Sequence, residues 1–323
     1  MPQDPRLRLG ISACLLGQHV RYDGGDKRAP LLSDVVAARV EWVPVCPEVE
    51  LGLDTPRPPM VLRRAAGGPH LWTPSTGADL TRAMRRFAAE RIAALATAGI
   101  AGYVLKSRSP SCGLRSVDVE DENGERVATG SGLFAAALCH RLPLVPLAEE
   151  QELEEPAALV QFLRRAFFFR RWRQRSEPLA DFHRCHRSLL LASGAAATRR
   201  LDRQLAAAGD EAPELAEHYV HQALRILRHV PSRRCHARNL GWVVGHLVSH
   251  VGDRQRRVNV DVYRAYARGE VPWAEAAVVL RRSAQHVGQE AVLASLYLFP
   301  EPAEWDLLVR LDRLQTPDGA PVN

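Results

Sequence analysis

The first half of the chain alternates short apolar runs with amphipathic stretches. Residues 7–14 and 42–46 are apolar runs of strand length, and residues 30–40 between them place their apolar positions at helical spacing. A strand, a helix and a second strand in this order predict a β-α-β unit, in which the strands are parallel and the crossover is right-handed. A longer amphipathic helix is predicted over 79–98, followed by a strand at 102–106.

The remainder of this half continues the same pattern. The Asn123-Gly124 turn predicts a hairpin, residues 131–141 a helix and residues 143–147 a last strand. The sequence therefore predicts an α/β domain with a parallel sheet over residues 1–150.

The second half shows almost only helical spacing. An acidic, proline-containing stretch at 148–156 is the predicted linker. We therefore expect an α/β parallel-sheet catalytic domain followed by an all-α helical domain over residues 151–323. Helices are predicted at 157–175, 179–193, 196–208, 212–229, 236–252, 259–268 and 273–296.

Composition limits the class of protein. The 323 residues are 46% hydrophobic and 25% charged, with a mean hydropathy of -0.20, which is typical of a globular protein and excludes a disordered chain or a bundle of membrane spans. The first residues, MPQDPRLRLGISACLLG, are charged and contain proline, and their apolar run is too short for a signal peptide. We expect a cytoplasmic protein that is monomeric and does not associate with membranes.

The net charge of +6 is unevenly distributed. Residues 164–268 contain 21 basic and 9 acidic residues, an excess that favours a polyanionic partner. The run 164–175 also mixes arginines with aromatic rings, which can stack on unpaired bases. Alternatively, Phe167–Phe169 are core residues and the arginines form a solvated helix face. The predicted nucleic-acid contacts are Arg164, Arg165, Arg170, Arg171, Arg173, Arg175, Arg233, Arg234, Arg256 and Arg257.

Three of the six cysteines share a position relative to the predicted strands. Cys14, Cys46 and Cys112 each lie at or shortly after the C-terminal end of a strand. These ends meet at one edge of a parallel sheet, where ligands bind. Three soft ligands fit an iron–sulfur cluster with one iron left open, or a zinc ion that holds a water. Three ordinary buried cysteines are the alternative.

Carboxylates and hydroxyls near the same edge are candidates for proton transfer. Glu48 follows Cys46 by two residues, and a partly desolvated carboxyl beside a cluster suits a general acid or base. Asp23, in the run RYDGG, is a second candidate. Residues of this kind also cap turns and helices, which is the alternative for each. The loop before Cys112 adds Ser107, Ser109 and Ser111, and Lys106, Ser107 and Arg108 are predicted to contact the substrate.

Three long motifs occur in order along the first half. They are ISACLLGQHVRYDGG (11–25), VPVCPEVELGLDTPRPPMVL (43–62) and GYVLKSRSPSCGL (102–114). Over roughly residues 7–148 the chain resembles the thiouracil desulfidase family. The stretch 50–54 departs from that resemblance, because many single-domain members are richer in glycine there. The resemblance implies a [4Fe-4S] cluster held by Cys14, Cys46 and Cys112, with site roles for Glu48, Ser109 and Asp23.

The second half resembles a YbgA-like helical domain over roughly 164–310. The residues that carry this resemblance are Phe182-His183 with His186, Ala216–Tyr219, Arg238-Asn239 with Gly245-His246, and Leu298–Pro300. Fusions of the two domains resemble enzymes that remove sulfur from 4-thiouridine in tRNA. The resemblance therefore implies that the partner is tRNA carrying 4-thiouridine and that the helical part binds RNA.

These observations predict hydrolytic desulfuration of 4-thiouridine in tRNA to uridine. The open iron would take up the sulfur, which leaves as hydrogen sulfide, while Glu48 activates water, Ser109 holds the base and Asp23 assists proton transfer. One alternative is a desulfidase of free thiouracil or thiouridine nucleosides with a structural helical domain. Others are a non-catalytic iron–sulfur regulator that binds nucleic acid, and a zinc hydrolase.

Overall fold

The computed structural model describes residues 6–208 and 213–315. These divide into two compact units, and the boundary falls between Glu155 and Pro156. The first unit is α/β and the second is helical, so the predicted fold class is confirmed. The ends of the two predicted domains, and residue 212 of the predicted helix 212–229, lie outside the described residues.

The first unit contains a parallel sheet and a second, mostly antiparallel sheet. The parallel sheet has the order β2-β1-β6-β9 and the second sheet the order β5-β4-β3-β7-β8, in which only β3 and β7 pair in parallel. The strands in the described residues are β1 (Leu7–Ser12), β2 (Val40–Val45), β3 (Val61–Arg63), β4 (His70–Thr73), β5 (Ala78–Asp79), β6 (Tyr103–Leu105), β7 (Val117–Glu120), β8 (Arg126–Gly130) and β9 (Leu147–Glu149).

The β-α-β expectation holds for the strands and only partly for the crossover. β1 pairs in parallel with β2 along its whole length, from Leu7 opposite Val40 to Ser12 opposite Val45. The segment between them forms a π-helical turn at Leu31–Val36 instead of a helix over 30–40. The other helices of this unit are α1 (Pro47–Glu50), α2 (Thr81–Thr97) and α3 (Leu133–Arg141).

The last strand of the parallel sheet begins later than the sequence predicts. β9 covers Leu147–Glu149, whereas the prediction was 143–147. Pro143 and Pro146 have no N–H to donate to a ladder, so regular pairing begins only after the second proline. The predicted linker 148–156 consequently contains the end of this strand and the 3-10 turn Glu150–Leu153.

The second unit is built from helices around an aromatic and aliphatic core. The predicted helices 179–193 and 196–208 form one helix that bends at Gly194, whose ψ is 78°. Within the described residues, no helix is both long enough and apolar enough to cross a bilayer. The helices are α4 (Pro156–Gln174), α5 (Leu179–Ala208), α6 (Pro213–Ile226), α7 (Arg233–Leu247), α8 (Asp253–Arg268), α9 (Trp273–Val287), α10 (Glu290–Leu293) and α11 (Pro302–Arg313).

Candidate active site

The C-terminal ends of the parallel strands lead into one cavity of about 510 Å³. Cys14 lies in the 3-10 turn Ala13–Leu16 that follows β1, and Cys46 follows β2 directly. Cys112 lies in the loop after β6, and Gln151 follows β9. All four side chains line the cavity, so the structure brings the three cysteines together at the edge of the sheet.

The three thiols are poorly exposed. Cys14 and Cys112 are buried and Cys46 is half-buried. Burial and, to a lesser extent, the charge of Cys46 raise the pKa of Cys14 to about 11. Burial also raises the pKa of Cys46, and it raises the pKa of Cys112 well above its usual value. Ser12 is hydrogen-bonded to the Cys112 thiol, which partly offsets the effect of burial on the pKa. A positive centre that binds the sulfurs would therefore displace their protons.

The chemistry of the donor set fits an iron–sulfur cluster. Thiolates are the soft ligands that such clusters use, and the cavity has room beside the three sulfurs. The described lining of the cavity includes no imidazole, and its carboxylate, Glu48, is paired with an arginine. Within residues 6–208 and 213–315, no group of three His, Cys, Asp or Glu side chains lies close enough to hold a single metal ion.

Glu48 is held in one orientation by two partners. One carboxylate oxygen accepts hydrogen bonds from Nε and Nη2 of Arg57, at 2.9 and 2.5 Å, and the other accepts one from the Ser111 hydroxyl at 3.0 Å. The Glu48 and Arg57 side chains are 12% and 6% exposed. Arg57 also donates to the Val20 carbonyl at 2.9 Å, and so connects the loops after β1 and β2.

The sequence interpretation missed Arg57. Its signal was an arginine between prolines, Thr55-Pro56-Arg57-Pro58, within a motif already singled out. Nothing in the sequence showed that this guanidinium pairs with Glu48, nine residues earlier.

The three serines of the loop have different partners. Ser107 and Ser111 are buried, and their hydroxyls donate to Glu150 and Glu48. Ser109 is half-buried and lines the cavity. Its oxygen accepts hydrogen bonds from the backbone N–H groups of Ser111 and Cys112, at 3.3 and 3.1 Å. Its own hydrogen is therefore available to a molecule in the cavity.

Lys106 and Arg108 begin the same loop and both line the cavity. The Lys106 ammonium is 2.5 Å from a carboxylate oxygen of Glu150 and also donates to Ser107. Arg108 is exposed and has a φ of 57°, a left-handed conformation that is unfavourable for a residue with a side chain. Among the described residues, its guanidinium has no hydrogen-bond or ion-pair partner.

Asp23 lies outside the lining of the cavity. Its carboxylate accepts hydrogen bonds from Arg21, at 3.2 and 3.1 Å, and from the backbone N–H of Gly25 at 3.0 Å. The Arg21 guanidinium lowers the pKa of Asp23 below its usual value and itself lines the cavity. In this structure Asp23 orients Arg21 and closes a turn, and it makes no contact at the predicted reaction centre.

The first turn of α3 fixes the loop that carries Cys112. The backbone N–H groups of Phe134 and Ala135 both donate to the Ser111 carbonyl, at 3.0 and 3.1 Å. A Cβ on Gly132 would lie 2.5 Å from the carbonyl carbon and oxygen of Ser111. Only glycine therefore allows the helix to approach the loop this closely.

We expect Gly132→Ala to destabilise the first unit by about 1–3 kcal/mol, the usual cost of overpacking. The added methyl must displace backbone, so the loop around Ser111 and Cys112 has to move. Denaturant unfolding measures the effect. Gly130→Ala is the matched control, because its Cβ would lie at an ordinary 3.5 Å from Val119. Equal stability of the two variants would contradict this account of the loop.

The arginines predicted to contact nucleic acid lie in different environments. Arg164 is buried; Arg170 pairs with Glu301, and Arg171 pairs with Glu301 and Glu304. These three guanidiniums are therefore inside the unit or already paired, and they do not belong to an exposed basic surface. The other predicted arginines are more accessible: Arg165 and Arg175 are half-buried, and Arg173, Arg233, Arg234, Arg256 and Arg257 are exposed.

The aromatic residues of the same run are core residues. Phe167, Phe168 and Phe169 are buried, and Trp172 packs edge-on against Phe182 with ring centroids 5.5 Å apart. The three phenylalanines therefore stabilise the helical unit and are not available to stack on bases.

Comparison with known proteins gives separate matches for the first and second halves of the chain. Residues 9–150 match the family model described as 2-thiouracil desulfurase, and residues 188–302 match a model described as a protein of unknown function, DUF1722. The uncharacterized protein YbbK of Bacillus subtilis (strain 168) is 30% identical over 133 residues, which cover 40% of this chain and 87% of YbbK. The solved structure of a [4Fe-4S]-dependent thiouracil desulfidase, TudS, is 35% identical, covers 46% of this chain and 93% of its own, and has a TM-score of 0.38. By its first half, the chain belongs to the 2-thiouracil desulfurase family.

Proposed function

We propose that this protein removes sulfur from 4-thiouridine in tRNA by hydrolysis, giving uridine and hydrogen sulfide. The observation that carries the proposal is the position of Cys14, Cys46 and Cys112 at three parallel strand ends, around one cavity that also contains Glu48. The three cysteines are the proposed ligands of a [4Fe-4S] cluster. When bound there, the cluster supplies a Lewis-acidic iron with affinity for sulfur.

In this proposal Glu48 takes a proton from the attacking water. Arg57 and Ser111 hold the Glu48 carboxylate in one orientation relative to the water. The water oxygen bonds to C4 of the base and the C–S bond breaks. The two protons of the water leave with the sulfur as hydrogen sulfide, so no electrons are gained or lost.

Ser109 is proposed to orient the base. Its oxygen already accepts two backbone hydrogen bonds, which leaves its hydrogen to donate to a carbonyl of the pyrimidine. Arg108 and Lys106 are proposed to contact the substrate beside it. The base must leave its stack to enter such a cavity, at a cost of about a few kcal/mol.

The helical unit is proposed to bind the tRNA backbone through its exposed arginines. Arg234 on α7 and Arg257 on α8 are exposed, and neither has a hydrogen-bond or ion-pair partner among the described residues. Guanidinium groups in this state can contact phosphates without breaking a contact inside the fold.

The double variant Arg234→Glu/Arg257→Glu is expected to bind tRNA more weakly and with a flatter salt dependence. The affinity falls as salt rises, and each lost phosphate contact makes the slope of log affinity against log salt shallower by about 0.7–0.9. Binding titrations at several salt concentrations measure this slope. The control is Arg85→Glu/Arg86→Glu, which changes the net charge equally on an exposed face of α2. An equal loss of affinity in both double variants would contradict a specific RNA surface on the helical unit.

The reaction itself is tested after anaerobic reconstitution with iron and sulfide. We expect tRNA that contains 4-thiouridine to lose the near-ultraviolet absorbance of its thiocarbonyl, and a nuclease digest to contain uridine instead. Release of hydrogen sulfide is measured in the same sample. Turnover of free thiouracil with no turnover of the tRNA would overturn the tRNA substrate and retain the desulfurase reaction.

A further inference from the structure

The helical unit contains a cavity of its own, of about 130 Å³. Its polar lining consists of Gln161 and Arg164 from α4, Arg233 and His236 from α7, Asp312 from α11, and Gln315 just after that helix. The rings of Tyr266 and Trp273 form part of its wall. The proposed desulfurase reaction uses none of these side chains in its chemistry.

Arg164 is buried in this lining and makes no hydrogen bond in the described part of the chain. Its side chain is 3% exposed, and its Nε is left without a hydrogen bond there. Among the residues that the structure describes, the guanidinium makes no hydrogen bond or ion pair; it lies over the rings of Trp273 and Tyr297, at 5.5 and 5.6 Å from their centroids. Burial lowers the pKa of Arg164, and the nearby carboxylates of Glu304 and Asp312 offset this only in part. A buried guanidinium without a hydrogen bond is costly.

Arg171, two turns later on the same helix, provides the comparison. Its side chain is 12% exposed, and its guanidinium pairs with both Glu301 and Glu304. Arg171 thus makes the direct contacts with carboxylates that Arg164 lacks. Arg164 instead faces a cavity.

His236 adds a second donor to the cavity. Tyr297 accepts a hydrogen bond from the Trp273 indole at 2.9 Å, and its oxygen is 2.8 Å from Nδ1 of His236. Burial lowers the pKa of His236 to about 3, so the imidazole is neutral. Donation of the Tyr297 hydrogen to Nδ1 places the imidazole proton on Nε2, which has no partner among the described residues.

Two acceptors face the same space. The Gln161 amide nitrogen donates to Ser193 and to the Leu227 carbonyl, at 2.9 and 2.7 Å, whereas its buried oxygen has no partner in the described ranges. One oxygen of Asp312 accepts the backbone N–H of Ala274 at 2.7 Å, and its other oxygen accepts no hydrogen bond from the described residues. A ligand that completes this site must present anionic oxygens to the arginines and the imidazole, and one hydrogen to an acceptor.

We propose that this cavity binds a phosphate group that retains one proton. Its anionic oxygens accept from Arg164, Arg233 and His236, and its hydroxyl donates to Gln161 or Asp312. A carboxylate or a sulfate has no such hydroxyl at neutral pH. A cavity of about 150 Å³ holds benzene, so one phosphate group fits here and a whole nucleotide does not. The phosphate is either inorganic phosphate or the end of a larger phosphate ester.

Calorimetric titration of the full chain compares inorganic phosphate with sulfate at equal ionic strength. We expect phosphate to bind with one site per chain, and sulfate to bind at least about tenfold more weakly, because it leaves a buried acceptor unpaired. Asp312→Asn and Gln161→Leu are expected to reduce this preference. Equal binding of the two anions, or binding of neither, would overturn the proposal.

Arg164→Met separates ligand binding from support of the fold. We expect this variant to lose phosphate binding, and phosphate no longer to raise its thermal midpoint, because methionine has no donor for the anion. Arg225→Met is the control, since Arg225 is exposed on α6 and lies outside the lining. A lower midpoint of Arg164→Met with unchanged phosphate binding would show a purely structural arginine.

Two further titrations distinguish the sources of the phosphate. A short RNA with a 5′-phosphate is compared with the same RNA without it, and uridine monophosphate is compared with uridine. A gain in affinity from the terminal phosphate that Arg164→Met removes would identify a phosphate ester as the ligand. Binding of inorganic phosphate with no such gain would identify the free anion.

Discussion

The Cys112→Ser protein, reconstituted anaerobically with iron and sulfide, is expected to lack both the broad visible absorbance of an iron–sulfur cluster and desulfurase activity. Cys112 is buried, hydrogen-bonded to Ser12, and one of three thiols that line the cavity. Its loss leaves two protein ligands, and a serine oxygen is a harder donor than the soft thiolate that such clusters use. Absorbance, iron content and sulfide release are measured on the same sample.

Cys139→Ser is the matched control for this prediction. Cys139 belongs to the same unit, is exposed on α3 and does not line the cavity. This variant should keep the cluster and its turnover. A Cys112→Ser protein with full activity would contradict the proposed ligand set, and parallel loss in both variants would indicate general sensitivity of the unit to serine.

Glu48→Gln is expected to keep the cluster and to lower the turnover rate by about 10²–10⁴-fold, the usual contribution of a general acid or base. Glutamine has the shape of glutamate and can still accept from Arg57 or Ser111, so the cavity should remain folded. Single-turnover kinetics on reconstituted protein measure the rate. Asp23→Asn should cost far less, because Asp23 lies outside the cavity and acts on Arg21.

The ion pair between Glu48 and Arg57 can also be tested by measuring the stability of variants. Removing one partner of a buried pair costs about 3–5 kcal/mol, so Arg57→Met should unfold at lower denaturant than the wild-type protein. The double variant Glu48→Gln/Arg57→Met should recover part of that loss, because it leaves no unpaired charge. Additive losses in the double variant would show that the two side chains do not act as a pair. Turnover by Glu48→Gln at the wild-type rate would exclude Glu48 as the base.

Regular chain geometry made the edge of the parallel sheet predictable. Parallel strands align their C-terminal ends, so Cys14, Cys46 and Cys112 could be placed at one edge from strand positions alone. The second sheet was missed, apart from its hairpin, because β3, β4 and β5 have only three, four and two residues. Runs of this length carry no measurable alternation of apolar and polar positions.

Ion pairs between residues that are distant in sequence could not be predicted. The arginines of α4 were interpreted as one basic surface, but Arg170 and Arg171 pair with Glu301 and Glu304, about 130 residues later. A charge run shows how many charges a helix carries and not which of them are neutralised by the fold. The roles of the three cysteines, Glu48 and the exposed arginines remain predictions for the experiments above.

The charges around the desulfurase cavity also bear on how fast a substrate arrives. Of the described side chains that line it, Arg21, Lys27, Arg57, Lys106 and Arg108 are cationic and Glu48 is anionic. Asp23, Glu48 and Glu150 neutralise three of the cations, which leaves Lys27 and Arg108 uncompensated at the lining. A positive potential at the entrance steers anions during diffusional encounter, and dissolved ions screen it over about 10 Å at 0.1 M. Capture of a polyanion should therefore slow as ionic strength rises, whereas capture of an uncharged base should not.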